Sequence, residues 1–135
     1  MKSAKEVVDI MFQGDAFSQW LGIKVEETKA GYCRLSMQVR EEMTNGFKIA
    51  HGGISYALAD SALAFASNGH GTQALSIETA ISHLKPIKEG SKIEAIASEI
   101  RKSRSLGVYE VKVLDEAGEL LAHFKGTVFR KDLEW

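Results

Sequence analysis

Ile54-Ser55-Tyr56-Ala57-Leu58-Ala59-Asp60-Ser61-Ala62-Leu63-Ala64-Phe65-Ala66 is the stretch that decides how this chain folds. Ten of these thirteen residues are apolar, and strong helix formers dominate them. The apolar residues fall on every side of a helical cylinder rather than along one stripe, and a helix of that kind is a buried one. The rest of the chain therefore has to surround it.

Working outward, the sequence changes period from 3.6 to 2 on both sides. Upstream, from Ile23 onward, Cys33, Leu35, Met37 and Val39 alternate with Tyr32, Arg34, Ser36 and Gln38, as in a strand with one packed face. Ala30-Gly31 supplies the turn before that strand. Downstream, Ala74–Leu84, Ser91–Lys102, Leu106–Leu114 and Leu120–Arg130 carry β-branched or apolar residues in alternation, and Asp115-Glu116-Ala117-Gly118 is turn chemistry between the last two. Six strands and one long buried helix predict an α+β arrangement, a curved antiparallel sheet wrapped around a central rod. At the N-terminus, Ser3-x-x-Glu6 is a capping box followed by Val7, Val8, Met11 and Phe12 at helical spacing. This helix ends at Gly14, and a second, shorter one is predicted from Asp15 to Leu21, capped by Asp15 and stopped by Gly22.

The length, 135 residues, suits one domain over 1–135 with a real core. Lys and Arg number 17 against 18 Asp and Glu, a formal net charge of -1, so no global positive field favours a nucleic acid or an anionic membrane. The longest uncharged stretch, Ser61 to Ile77, is too polar for a membrane span. Cys33 is the single cysteine, which excludes an internal disulfide and fits a reducing cytoplasm. The four histidines, His51, His70, His83 and His123, have no metal-ligand spacing, and Gly53-Ile54-Ser55-Tyr56-Ala57 lacks the second glycine of a serine-hydrolase elbow.

Asp60 is the only charge in the apolar helix. Burying a carboxylate is costly, and Asp is a mediocre helix former, so two local rules are broken at one residue. Such breaks concentrate at functional sites, although structural hydrogen-bond networks also produce them. The helix entry, Asn45-Gly46-Phe47-Lys48-Ile49-Ala50-His51-Gly52-Gly53, offers the complementary feature. Two glycines at a helix start leave backbone N–H groups unobstructed at the positive end of the dipole, where a developing oxyanion is stabilised; alternatively they only permit tight packing. Asp60 lies seven residues beyond Gly53, ~10 Å along the helix at 1.5 Å per residue. One helix cannot bring both groups to a single carbonyl, so the sequence predicts a site shared by two antiparallel helices across a dimer axis.

Asn45-Gly-x-x-x-x-His51-Gly52-Gly53 followed by Leu58-Ala59-Asp60 closely resembles the hotdog-fold acyl-CoA thioesterases of the phenylacetate-degradation (PaaI-like) group. The likeness continues through Leu84-Lys85-Pro86 and Gly107-Val108-Tyr109 and so spans nearly the whole chain. It implies a hotdog dimer, usually paired into a tetramer, that hydrolyses a coenzyme A thioester without a metal or other cofactor. By position it implies that Asp60 is the essential carboxylate, as general base or as nucleophile. Gly52 and Gly53 would be the oxyanion donors, Asn45 and His51 would fix water and loop, and Ser76 would position water. Lys85, Arg101, Ser103 and Arg104, with Lys88 and Lys102 nearby, are candidates for the coenzyme A phosphates at strand ends. Phe47 and Tyr56, with Met43 and Phe65, are candidates for the acyl pocket, with core packing as the alternative for each. Two other readings keep the same pocket: an enoyl-thioester hydratase using His51 with Asp60, and a non-catalytic acyl-CoA sensor.

Overall fold

Ser3 opens α1 (Ala4–Gly14) as its capping box predicts: the Glu6 N–H donates to the Ser3 hydroxyl and the Ser3 N–H donates to the Glu6 carboxylate. The structure is a computed structural model describing residues 1–135. Asp15 caps α2 (Ala16–Leu21) by accepting from the Ser18 N–H, and Gly22 ends it in the left-handed conformation that glycine adopts without strain. Strands β1 (Lys24–Lys29) and β2 (Tyr32–Gln38) follow, then a 3₁₀ turn (Glu41–Met43), α3 (Gly52–Asn68), β3 (Thr72–His83), β4 (Lys92–Lys102), β5 (Leu106–Leu114) and β6 (Leu120–Glu134).

All neighbouring strands are antiparallel, in the order β1-β2-β4-β5-β6-β3. The chain runs from β2 into α3 and emerges at the opposite edge, so the helix lies along the concave side of the sheet. Leu58, Ala59, Ala62, Leu63, Phe65 and Ala66 of α3 bury against a core that includes Leu35, Ile93, Val111 and Phe124. The alternation read in β2 holds except at Ser36: Cys33, Leu35, Met37 and Val39 are buried, and so is Ser36, whose hydroxyl donates to the Glu26 carboxylate. Burial alone pushes the Cys33 thiol up to about 12, which suits a packed sulfur rather than a nucleophile. At Gly126 in β6 a β-carbon would lie 2.6 Å from Leu63 Cδ2, so any side chain there would require the helix residue or the strand to shift.

The helix starts at the glycine pair, as expected, and runs to Asn68, where buried Ser67 and Asn68 bond back to the Ala64 carbonyl. One expectation needs correction: α3 is not covered on every side. Ala57, Asp60, Ser61 and Ala64 form a half-buried stripe. At the edge, β3 leaves Leu75 and Ile77 at 59% and 62% exposure on a twelve-residue strand with one neighbour. A long apolar edge is an invitation to pair with another strand.

Candidate active site

The entry to α3 is held by short-range bonds. Asn45 Oδ1 accepts from the N–H groups of Phe47 (2.9 Å) and Ile49 (3.5 Å), shaping the loop. The Ala50 N–H donates to the Ile87 carbonyl and the His51 N–H to the Met43 carbonyl, which tie that loop to its neighbours. His51 is the N-cap, and its Nδ1 accepts from the Gly53 N–H at 2.8 Å. Of the two glycines, then, Gly53 already has its donor engaged by a side chain. Gly52, at the first helical position, has no intrahelical acceptor for its N–H and lines a cavity of about 330 Å³ with Asn45, Ser55, His83 and Lys85.

His83 and Ser55 complete this cavity, and neither was singled out as a site residue by sequence reasoning. A β-carbon on Gly52 would stand 3.1 Å from His83 Nε2, so the ring occupies the space that the glycine leaves. The Ser55 hydroxyl donates to the Gly52 carbonyl (3.2 Å) and lies 3.3 Å from His83 Nδ1. Only the fold brings the last residue of β3 against the first residue of α3.

Asp60 sits elsewhere. It shares a cavity of about 290 Å³ with Ser76, Leu63, Ala64, Leu75 and Met11. Burial raises its pKa above the usual carboxylate range, and the negative charge of Asp15 adds to the rise; no hydrogen bond within the protomer offsets it. Asp15 itself accepts from the Ser18 hydroxyl (2.6 Å), which is 2.8 Å from the Ser61 hydroxyl beside Asp60 in the sequence. A carboxylate poised upward, half-buried and without a donor is available as a base or nucleophile. Asp60 and Gly52 thus stand on one helix but face two different cavities.

The remaining candidates scatter. Lys85 lines the Gly52 cavity and is paired with Glu119. Arg101, Ser103 and Arg104 lie around the β4–β5 hairpin. There Arg130 donates to the Ser103 and Arg104 carbonyls and to the Thr72 hydroxyl, placing this group at the opposite end of β3 from Lys85. Arg104 is highly exposed beside Asp132. Tyr56 packs edge-on against Phe124 and hydrogen-bonds Thr79 through its hydroxyl. Met43 and Phe65 are core residues, whereas Phe47 is 84% exposed on its loop, so for it the packing alternative is wrong. His70 binds Glu99, which also accepts from the Tyr109 hydroxyl, a network away from both cavities. No three His, Cys, Asp or Glu side chains gather as a metal-binding group.

The profile of the thioesterase superfamily matches residues 47–122, which include His51, Gly52, Gly53, Asp60 and Ser76 but not Asn45. An Archaeoglobus fulgidus protein described as a putative esterase is 39% identical over 126 residues, covering 93% of this chain and 82% of the relative. The chain belongs to the thioesterase superfamily. Within it, the acyl-coenzyme A thioesterase PaaI of Escherichia coli is 31% identical over 120 residues, covering 89% of this chain and 86% of that protein. The structure of E. coli PaaI superimposes with a TM-score of 0.95 at 29% identity, covering 97% of this chain and 95% of that one. The antiparallel sheet wrapped on a central helix is therefore the hotdog fold of the PaaI-like thioesterases. No helix of this thioesterase is long and apolar enough to cross a membrane.

Proposed function

We propose that this thioesterase hydrolyses an acyl-CoA to the free acid and coenzyme A at a site built by two protomers, with no resident metal or cofactor. One observation carries the reading: the carboxylate and the helix-start donor that a thioester needs lie on the same rod, in separate cavities, ~12 Å apart at 1.5 Å per residue. Two α3 helices running antiparallel across a dimer axis would bring Asp60 of one protomer to the Gly52 N–H of the other. The half-buried stripe on α3 and the unpaired apolar edge of β3 both support such a contact.

In this arrangement the thioester carbonyl oxygen accepts from the partner subunit's Gly52, where the helix dipole favours the oxyanion. Asp60 either takes a proton from water as the water oxygen attacks the carbonyl carbon, or attacks that carbon itself to form an anhydride that water then opens. In both routes the C–S bond breaks, the sulfur leaves with the electron pair and is protonated, and the acyl group ends on oxygen. Ser76, which lines the same cavity as Asp60, would hold the water. Asn45 shapes the loop, and His51 holds the Gly53 N–H and so the first turn. Lys85 from one protomer and Arg101, Ser103 and Arg104 from the other are the groups proposed to meet the coenzyme A phosphates. Pairing of two such dimers into a tetramer, in a reducing cytoplasm, completes the proposal.

The test is release of free thiol from a panel of acyl-CoA esters running from acetyl through hexadecanoyl to phenylacetyl and benzoyl, with sedimentation at the assay concentration. Turnover by a dimer or larger assembly is expected. No thiol release from any ester, or full activity in a monomer, contradicts the reading.

A further inference from the structure

We infer that Trp135 closes the far end of the Asp60 cavity and sets the longest acyl group that the protein accepts; this rests on the thioesterase reading above. Asp60, Leu63, Ala64, Ser67 and Asn68 recur at three- and four-residue spacing, so the cavity follows one face of α3. From Asp60 to Asn68 that face extends ~12 Å. Its walls carry no Lys or Arg, so it suits an acyl chain and not the phosphates of coenzyme A. The carboxylate stands at one end. The indole of Trp135 lines the other.

The wall at that end is fixed by polar bonds. Asn68 is buried, and its amide N–H groups donate to the carbonyls of Ala64 (2.8 Å) and Ala74 (3.0 Å). Its Oδ1 accepts from the Ala74 N–H (2.9 Å) and from Trp135 Nε1–H (2.8 Å). The side chain of Asn68 is thus saturated, and one of its bonds pins the indole. The Trp135 backbone is anchored as well, its N–H donating to the Gly71 carbonyl (3.1 Å). A wall held at both backbone and ring does not swing aside to admit a longer chain. An extended chain advances ~1.2 Å per bond, so the chamber holds about eight to ten carbons beyond the thioester.

Coenzyme A release from straight-chain esters, butanoyl to hexadecanoyl, tests this in the unsubstituted 135-residue chain, its Trp135→Ala variant and its Ala64→Leu variant. In the unchanged protein kcat/KM is expected to fall by at least about tenfold between octanoyl and dodecanoyl. Trp135→Ala raises the dodecanoyl-to-octanoyl ratio by about the same factor. Ala64→Leu narrows the chamber from the helix side with a residue that helices favour, and moves the limit to shorter chains; because Ala64 also belongs to the half-buried stripe, sedimentation of this variant first establishes that its assembly is unchanged. If octanoyl- and hexadecanoyl-CoA react equally well, or if neither substitution moves the ratio, the inference is overturned. Calorimetric binding of the same esters to Asp60→Asn and to Asp60→Asn/Trp135→Ala separates the two readings. A chain-length limit in binding that moves with Trp135, in a protein that turns over none of the esters, retains the chamber and removes hydrolysis; binding indifferent to chain length removes the chamber.

Discussion

At the start of α3 nearly every polar group is already tied down, whereas two turns further along the same helix Asp60 meets no donor from its own protomer. The first region is made by short-range bonds: Asn45 to its own loop, His51 to Gly53, Ser55 to Gly52, with His83 filling the space beside the glycine. One backbone N–H is left over, preorganised at the positive end of a helix. The second region is mostly apolar and holds a carboxylate pushed upward in pKa by burial and by Asp15. A finished donor site and an unsatisfied acid are the complementary halves on which the proposed shared site rests.

Substitution on the acidic side breaks the contrast most severely. Asp60→Asn keeps the shape and removes the base; loss of a general base costs ~10²–10⁴ in rate, and loss of a nucleophile more, read as kcat for coenzyme A release. Stability should move the other way. Because burial raises the folded pKa of Asp60, its ionised form is penalised on folding; the penalty is absent below the unfolded value and complete above the folded one. At neutral pH the Asn variant therefore melts no lower than the parent, as a thermal scan will show.

Gly52→Pro tests the donor side with an unusually small structural change. Proline is favoured at the first helical position, where it removes an N–H that the helix does not use. His51 before it already has φ −59° and ψ 140°, which a following proline requires. The added β-carbon asks only that the His83 ring yield by a few tenths of an ångström. The helix should persist by circular dichroism while kcat falls ~10²–10³, the range for one lost oxyanion donor. Asp15→Asn gives the smallest effect. Removing that negative charge lowers the pKa of Asp60, so the acid limb of the kcat/KM–pH profile moves to lower pH with little change at the plateau; an unmoved limb means that Asp60 does not govern it.

Much of this was legible because it is local. The Ser3–Glu6 box, the Asp15 and Gly22 caps, the alternation of β2 and the all-round apolar helix each depend on neighbours within a few residues. The conflict at Asp60 was visible too, since a charge in such a helix contradicts its surroundings. Long-range placement was not legible. Nothing in the sequence puts His83 on Gly52, because that contact depends on β3 returning along the helix to end at its entry. The engagement of the Gly53 N–H by His51 was hidden for a related reason: histidine is not among the usual capping residues, so the glycine pair read as two free donors. Phe47 read as a pocket or core aromatic, yet the Asn45 turn points it away from the fold. The open stripe on α3 was not legible because apolar composition does not distinguish a face covered by the fold from one left half-exposed.

Mixing two disabled proteins tests the shared site most directly. Asp60→Asn and Gly52→Pro chains, each inactive alone, are unfolded and refolded together in equal amounts, and coenzyme A release is measured. If each site takes its acid from one chain and its donor from the other, half of the dimers are mixed and each contains one intact site. Activity then returns to about a quarter of the unsubstituted protein. A mixture as inactive as its components, with mixed dimers demonstrated by mass spectrometry, would contradict the account.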